Sequence, residues 1–351
     1  MPLLLFKYLS PGGALKSLSD ESGMQLRFGL PKTYNDPYEL FLHPDPPCKT
    51  EGERAFYDFF LGTVAQAPVT CFSKRPDSVV MWAHYAHDGR GVCVGFDEDT
   101  LTNQFELAFI DDVTYRDAPA SIDSGVVKFA FTTGKRRHTF RVLEIGHRAA
   151  YFMKRSDWQY EYERRMVVPP DAVVERENML VAQIAPAAIR CLILGANVDS
   201  NVRPLVEARA SQYGVPSFQL HVGRRTYQPF FRGSDGATTL WNGTVLESAV
   251  RVCASCGEPA SELEDELCEW CGISKGARDS APRRSMLTAT LHYGIDKGIP
   301  LAFDGIEPKG RWVEEERRKR ASQPKQTPPA SDLPFEQSPA EAAVPDTHHG
   351  A

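Results

Sequence analysis

The 351-residue sequence has no long uninterrupted hydrophobic run and no excess of basic residues. The first absence argues against a membrane-spanning helix, and the short apolar start MPLLLF has neither a basic leader nor a cleavage site before the polar KYLSPGG. The formal net charge of -6 argues against a surface that binds nucleic acid throughout, although a local basic patch is compatible with it. We therefore expect a soluble, cytoplasmic protein with no membrane partner.

Cysteine is sparse over most of the chain. Cys48, Cys71, Cys93 and Cys191 are single cysteines in apolar or mixed settings. Such isolated positions in a long chain do not fit the dense disulfide framework of a small secreted domain. We interpret these four residues as core thiols.

The other four cysteines form two Cys-x-x-Cys pairs, Cys253 with Cys256 and Cys268 with Cys271, separated by eleven residues. Each pair aims two thiolates at one point, and two pairs complete the tetrahedral four-sulfur shell of a closed, structural zinc site. The pattern resembles the zinc ribbon, a module that often contacts nucleic acid or protein. Its loop EPASELEDEL is acidic, which favours a protein contact or simple stapling over phosphate contact.

A glycine follows each cysteine pair, Gly257 after the first and Gly272 after the second. We expect a left-handed residue at both positions, because it would let the chain turn away from the metal.

Alternating apolar runs and turns extend from residue 1 to about 230 and predict strands separated by a few helices. This pattern is typical of an α+β fold rather than a regular βαβ series. It predicts an α+β domain at 1–230, a Gly-rich linker at 231–250 and the zinc knuckle at 251–275. A short, partly ordered segment at 276–315 and a disordered tail at 316–351 complete the predicted organisation, since the tail has almost no large apolar residues.

Several ordered blocks between residues 5 and 220 resemble the bacterial domain of unknown function 2971 (DUF2971). The blocks that carry the resemblance are Lys7-Tyr8, Asn35-Asp36-Pro37, Cys71-Phe72-Ser73, Met81-Trp82-x-His84-Tyr85, Gly95-Phe96-Asp97 and Trp158-x-Tyr160-Glu161-x-Glu163-Arg164. The zinc knuckle and the tail lie outside them. The family name does not supply a function.

The segment WQYEYERRMVV suggests chemistry of its own. As one continuous strand it would place Glu161, Glu163 and Arg165 on the same face. Two carboxylates so close are costly to bury, because one must be partly protonated or paired with a cation. The alternative is a solvated edge strand in which Glu and Arg alternate.

The order of polar residues along the chain also resembles, more weakly, that of ADP-ribosyltransferases. That family has Arg or His on an early strand, Ser or Tyr on a middle strand and Glu-x-Glu or Gln-x-Glu on a late strand. Here Lys7 and Tyr8 come first, Arg27 follows, Ser73 lies in the middle, and the two glutamates come late. The chain departs from the family in having Lys7 on the first strand, unless Arg27 takes that role, and CFS on the middle strand.

The resemblance implies that residues 1–230 form a strand-rich, ADP-ribosyltransferase-like domain that binds NAD and is catalytic. Such an enzyme would transfer ADP-ribose from NAD to a macromolecule, and related folds serve as toxins or anti-phage effectors. Glu163 would stabilise the positive charge that develops on the ribose, and Glu161 would orient or deprotonate the acceptor. The implied cofactor-binding residues are Lys7, Tyr8, Arg27, Ser73, Trp82, His84 and Tyr85. Of these, Lys7 or Arg27 would neutralise the pyrophosphate, Ser73 would hold the ribose or brace Glu163, and Trp82 and Tyr85 would stack on the nicotinamide.

Two other functions stay open. The chain could instead be a non-catalytic, zinc-bearing module that binds nucleic acid or protein, with a structural Glu pair. A third option is a hydrolase or nuclease that uses His84 and nearby carboxylates with a metal. The first two differ in one observable feature, which is whether Glu161 and Glu163 line a concave pocket with Lys7 or Arg27 and an aromatic residue.

Overall fold

The computed structural model describes residues 3–30, 33–39, 41–64, 67–263 and 266–281. The chain divides into two units, Met1–Gly272 and Ile273–Ala351. In the second unit, the described residues include a helical segment at 275–281. The disordered tail predicted at 316–351, and all but the first residues of the segment predicted at 276–315, lie outside the described residues.

The described residues of the first unit form seventeen strands and seven α-helices, besides short 3-10 helices. The strands are β1 Leu4–Leu9, β2 Met24–Phe28, β3 Leu42–Asp45, β4 Val69–Ser73, β5 Val92–Asp97, β6 Phe109–Asp112, β7 Thr114–Arg116, β8 Ala120–Asp123, β9 Met153–Arg155, β10 Glu163–Val167, β11 Val174–Arg176, β12 Met179–Ile184, β13 Ile189–Leu194, β14 Ser217–His221, β15 Phe230–Gly233, β16 Thr238–Trp241 and β17 Leu246–Ser248. The helices are α1 Pro11–Ser17, α2 Glu51–Val64, α3 Val79–Tyr85, α4 Glu98–Thr102, α5 Ser124–Thr133, α6 Arg136–Tyr151 and α7 Arg203–Tyr213. The predicted α+β class is confirmed. No helix among the described residues is both long and apolar enough to cross a membrane.

The largest sheet has ten strands in the order β17-β16-β15-β14-β13-β5-β1-β4-β10-β6. Only β13 and β14 run parallel within it, and α7 supplies the crossover that a parallel connection needs. A second sheet has the order β11-β12-β2. The main apolar core contains residues of both sheets and of α1, α4 and α7.

The large sheet is nearly split between β1 and β4. These two strands pair at a single position, Phe6 opposite Ser73. At its other end β4 leaves β1 and bonds to the end of β2, where the N–H and C=O groups of Gly29 and Val69 exchange bonds of 2.8 and 2.9 Å. The strands therefore diverge, and the gap between them positions the candidate site.

The stretch from 77 to 97 forms one helix and one strand. The Ser78 hydroxyl caps α3 by accepting a hydrogen bond from the Met81 N–H at 3.4 Å. Met81 and Trp82 are buried, whereas Val80 is 41% exposed. Every residue of β5 is buried, as the apolar run GVCVGF predicts.

The structure differs from the prediction of one long strand in WQYEYERRMVV. Residues Ser156–Glu161 form a 3-10 helix, Tyr162 adopts a left-handed conformation with φ 48°, and β10 begins only at Glu163. Alternation alone cannot detect such a turn, because each polar residue fits either structure. β10 is also not an edge strand, since it pairs with both β4 and β6.

Residues 231–250 also differ from the predicted linker, because they contain most of β15 and all of β16 and β17. Phe231 and Trp241 are buried and anchor these strands to the sheet. Two glycines of this segment serve turns, Gly236 between β15 and β16 with φ 82° and Gly243 between β16 and β17 with φ 101°. The knuckle belongs to the same compact unit as the sheet.

Candidate functional site

A cavity of about 660 Å³ opens where β1 and β4 diverge. Its walls come from α1, α3, the strands β1, β2, β4, β9 and β12, the segment 33–35, and the turn that leads into β10. Seven of the nine predicted catalytic and cofactor-binding residues line it: Lys7, Tyr8, Arg27, Ser73, Tyr85, Glu161 and Glu163. Trp82 and His84 are not among the described lining residues.

Glu163 lies at the start of β10, opposite Ser73 of β4. Its side chain is buried and receives charged hydrogen bonds from two cations. Arg165 Nε donates to Glu163 Oε1 at 2.7 Å, and Lys154 Nζ donates to Glu163 Oε2 at 3.2 Å. The Glu163 N–H donates to the Tyr115 hydroxyl at 2.8 Å, which fixes the backbone at this point.

Glu161 reaches the same cation from the other side of the turn. Lys154 Nζ donates to Glu161 Oε2 at 2.7 Å, and the Tyr85 hydroxyl donates a short hydrogen bond to Glu161 Oε1. The left-handed Tyr162 between the two glutamates points away and is 41% exposed. Lys154 is thus the bridge that holds the two carboxylates together.

The pKa values of the two carboxyl groups are shifted in opposite directions. Burial would raise the pKa of Glu163, but the charges of Arg165 and Lys154 outweigh it and hold that pKa well below its usual range. Burial, together with the charge of Glu163, raises the pKa of Glu161 despite the opposing charge of Lys154. One carboxylate is therefore firmly ionised, and its neighbour is the better proton acceptor.

Lys154 was not among the residues predicted from the sequence, and Arg165 was predicted only to share a strand face with Glu161 and Glu163. Arg165 has no exposed surface and also bonds to Glu39 and, at 2.9 Å, to the Tyr151 carbonyl oxygen. The i, i+2 spacing from Glu163 was the available signal for Arg165. Lys154 lies on β9, nine residues before Glu163, and no local pattern indicates that contact.

Lys7 and Arg27 occupy different environments. Lys7 Nζ spans the gap between the strands, donating to the Cys71 carbonyl oxygen at 2.7 Å and to Thr70 Oγ1 at 3.0 Å. Burial lowers the pKa of Lys7. Arg27 is exposed at the cavity wall, and its side chain has no hydrogen bond or ion pair within the described part of the chain. The Arg27 guanidinium is therefore available to an anionic ligand, whereas the Lys7 ammonium is engaged in holding the fold.

Tyr8 and Trp82 pack against each other and bond to the backbone. Their rings meet edge to face with centroids 5.1 Å apart. The Tyr8 hydroxyl donates to the Arg75 carbonyl oxygen, and the Trp82 Nε1–H donates to the Pro76 carbonyl oxygen, each at 2.7 Å. The predicted stacking of Trp82 on nicotinamide is not what this arrangement favours, because the ring is buried in a core cluster.

His84 and Ser73 lie near the carboxylates without touching them. His84 is exposed, and its Nδ1 lies 3.3 Å from the Tyr160 hydroxyl. Ser73 is buried and accepts a hydrogen bond from the Arg75 N–H at 3.2 Å. Of the aromatic residues predicted for the site, Tyr85 has the most direct contact with a carboxylate.

Cys71 is the core thiol that borders the cavity. Burial, followed by the charge of Glu163, raises the pKa of the Cys71 thiol to about 12. The thiol therefore stays protonated and is not poised as a nucleophile.

The sulfur atoms of Cys253, Cys256, Cys268 and Cys271 all lie within 4.8 Å of one another and could together hold a metal ion. Two equivalent turns build this cluster, with the Gly257 N–H bonded to the Cys253 carbonyl oxygen at 2.8 Å and the Gly272 N–H bonded to the Cys268 carbonyl oxygen at 2.9 Å. Gly257 has the expected left-handed backbone, with φ 70°. Gly272 does not, so that prediction was wrong for the second turn.

The cluster is docked on the sheet through Glu258. This carboxylate is buried and accepts from the Arg224 and Arg225 N–H groups at 2.8 Å each. The Thr238 hydroxyl of β16 donates to the Gly257 carbonyl oxygen, also at 2.8 Å. Part of the acidic loop therefore serves internal docking, which its composition does not reveal.

Residues 81–166 match a protein-family model described as "Protein of unknown function (DUF2971)". The match confirms the family resemblance for this part of the chain, which runs from Met81 in α3 to Met166 in β10 and contains both glutamates. Neither a search of curated proteins nor a search of solved structures found a match. The resemblance to ADP-ribosyltransferases stays a prediction.

Proposed function

We propose that the chain is an ADP-ribosyltransferase-like enzyme that transfers ADP-ribose from NAD to a macromolecule. The observation that carries the proposal is the meeting of Glu161 and Glu163 in one concave cavity with an aromatic hydroxyl and with Arg27, whose side chain has no partner among the described residues. A flat, solvated strand would have favoured a structural Glu pair instead. The cavity volume of about 660 Å³ lies within the range of small-molecule and cofactor sites.

The opposite pKa shifts of the two carboxyl groups support the division of roles. In the proposed reaction the bond between the nicotinamide nitrogen and ribose C1 breaks, and its electron pair leaves with nicotinamide. Glu163, held ionised, stabilises the positive charge that develops on the ribose. The acceptor then forms a bond to C1, and Glu161 takes its proton, a task that suits a carboxylate with a raised pKa.

The remaining contacts assign the supporting roles. Arg27 binds the pyrophosphate through its planar fork of donors, in preference to Lys7, which already bonds to β4. Tyr85 orients Glu161 through its hydroxyl and offers a ring at the cavity wall. Lys154 and Arg165 are positioning residues that keep both carboxylates in place. The acceptor, and a role as a toxin or in phage defence, stay predictions.

We further propose zinc as the ion of the cysteine cluster, in a structural role. A tetrahedral site with Zn–S bonds of about 2.3 Å places its sulfur atoms about 3.8 Å apart. The Cys256 and Cys268 sulfur atoms lie 3.8 Å apart. With four protein ligands the coordination shell would be complete. The ion would therefore cross-link the two halves of the knuckle and leave no position for a substrate.

The second candidate is a non-catalytic, zinc-bearing module that binds nucleic acid or protein. Two observations favour it: the cysteine cluster itself and the near-complete burial of Glu163, which is 3% exposed and paired with Arg165. Buried ion pairs also occur in structural networks, so burial alone does not indicate catalysis.

The test is release of nicotinamide from NAD by the purified full chain, with and without cell lysate. We expect Glu163→Gln to lower the rate about 100-fold or more, which is typical for loss of a group that stabilises transition-state charge. Glu98→Gln is the matched control. Glu98 of α4 pairs with Arg164, which lies on β10 beside Glu163, but Glu98 is not among the described residues that line the cavity. The thermal unfolding midpoint of each variant checks that it is folded.

Labelled NAD then identifies the acceptor class, because the label would remain on protein, DNA or RNA. If the wild type neither binds NAD nor releases nicotinamide, and both variants behave like it, the transferase proposal is wrong. The zinc-bearing module is then the better account.

A further inference from the structure

We infer that a second cavity, at the start of α7 and beside the β14–β15 hairpin, binds a phosphate group. This cavity has a volume of about 500 Å³ and shares no lining residue with the carboxylate cavity. The inference is independent of the proposed function, since it requires no chemistry on NAD.

The fold brings three cationic or ionisable side chains to this cavity from two directions. In the β14–β15 pair Gln219 lies opposite Arg232, and His221 lies opposite Phe230, so these side chains share one face of the hairpin. Arg203, the first residue of α7, adds the second arginine. All three, Arg203, His221 and Arg232, line the cavity.

The charge of the cavity is not balanced by carboxylates. Glu207 is the one acidic residue among the described lining residues, and its bond to Arg203 is a loose ion pair of 3.4 Å with both side chains about half exposed. The Arg232 side chain has no hydrogen bond or ion pair within the described part of the chain, although its backbone pairs with β14 and β16. Burial, followed by the charges of Arg232 and Arg203, lowers the pKa of His221.

The rest of the lining suits a phosphate rather than a carboxylate or an apolar ligand. Ser234 and Gly236 bring a tight turn of backbone to one side. Two planar guanidinium groups match the oxygens of a phosphate in a bidentate manner.

The knuckle supports Arg232 directly. A Cβ atom added to Gly257 would lie 2.8 Å from Arg232 Nε, so the arginine packs against the backbone that follows the first cysteine pair. Loss of the metal from the cysteine cluster should therefore loosen Arg232 and weaken phosphate binding.

The experiment is calorimetric titration of the full chain with inorganic phosphate, adenosine monophosphate and a single-stranded oligothymidylate. We expect saturable binding that Arg232→Gln and Arg203→Gln each weaken about tenfold, the effect of losing one charge-assisted hydrogen bond. Arg137→Gln removes an exposed charge of α6 and is the matched control, expected to bind as the wild type. The His221 ring resonances should shift on addition of phosphate, which a distant binding event would not cause.

The probes separate two sources of the phosphate. If the oligothymidylate binds much more tightly than adenosine monophosphate, with an affinity that falls steeply with salt, the site takes the backbone of a nucleic acid. If the two small probes bind equally well or better, it takes a free phosphate ester or inorganic phosphate. Binding should persist in Glu163→Gln, so failure of this inference is distinguishable from failure of the proposed function.

Two results would overturn the inference. One is the absence of saturable binding with all three probes. The other is equal affinity in Arg232→Gln, Arg203→Gln and the Arg137→Gln control. Arg203 is 43% exposed, so Arg203→Gln is expected to fold and keeps the test decisive if Arg232→Gln does not.

Discussion

Lys154 is the residue whose removal tests the buried charge network most directly. Its side chain is 5% exposed and lies within hydrogen-bonding distance of both Glu161 and Glu163. Lys154→Met keeps the length of the side chain and removes its charge. In the variant Glu163 keeps its ion pair with Arg165, whereas Glu161 loses the cation with which it is paired.

We expect Lys154→Met to lower the free energy of unfolding by about 3–5 kcal/mol at pH 8, the usual cost of breaking a buried ion pair from one side. Lys74→Met is the matched control, because Lys74 pairs with Asp112 at the surface, with side chains 36% and 48% exposed. Loss of such a pair costs about 0–1 kcal/mol. Lys154→Arg should recover part of the lost stability, since it restores the charge.

The loss of unfolding free energy in Lys154→Met should depend on pH. The pKa of Glu161 is already raised in the folded protein, and the loss of Lys154 raises it further. A carboxyl group whose folded pKa exceeds its unfolded pKa destabilises the fold increasingly as pH rises between those two values. The destabilisation by Lys154→Met should therefore be smaller at pH 5 than at pH 8, by about 1.4 kcal/mol for each further unit of pKa shift.

Urea denaturation followed by circular dichroism at pH 5 and pH 8 measures both quantities. An equal loss of unfolding free energy in Lys154→Met and Lys74→Met would refute the role of the buried charge network. An equal loss in Lys154→Met at the two pH values would show that Glu161 is not coupled to the lysine.

Three further predictions concern the rest of the fold. The purified chain should release one metal ion per chain to a chelating dye when its thiols are modified, and Cys253→Ser should lose that ion; a metal content unchanged by Cys253→Ser would contradict the cluster. Gly91→Ala should destabilise the fold by more than about 1–3 kcal/mol, because the added Cβ would lie 1.9 Å from the Leu9 carbonyl oxygen. In Gly62→Ala, in α2, the added Cβ meets nothing within 4 Å, so this variant should be more stable than the wild type by about 0.5–1 kcal/mol. Equal unfolding midpoints of the two variants would refute this contrast. Asp97→Ala should cost about 1 kcal/mol at pH 7, because Asp97 caps α4 through the Thr100 N–H at 2.8 Å. Burial would raise the pKa of Asp97, but the Thr100 bonds and Arg190 outweigh it and lower that pKa, so its contribution should be present above about pH 4 and should fade as pH falls further; a cost that stays constant down to pH 2.5 would contradict that origin.

Local patterns predicted much of the architecture. Strong apolar runs such as GVCVGF and IRCLILG became the buried strands β5 and β13, because burial on both faces leaves a continuous apolar signature. Gly214 ends α7 with φ 67°, as the ARASQYG pattern predicts. The cysteine cluster was predictable for the same reason, since its geometry depends on short turns within two four-residue motifs.

Patterns failed where tertiary contacts selected among local structures of similar energy. The turn before β10 is set by Tyr162 in a left-handed conformation and by hydrogen bonds to Glu161. One of these comes from Tyr85, far away in the sequence, and the other from Lys154 on β9. The Gly-rich segment 231–250 joins the sheet because the side chains of Phe231 and Trp241 are buried there in an apolar core.

The sequence by itself determined the residue types of the candidate site: the two glutamates, the early cations and the aromatic residues. Only the tertiary structure decided which of them meet. It placed Lys7 in a structural bridge and brought Lys154 between Glu161 and Glu163. It also left the Arg27 side chain at the cavity wall with no partner among the residues that the structure describes. The physical reason is that the charge state of a buried carboxylate depends on cations within a few ångströms, and strands far apart in sequence supply them.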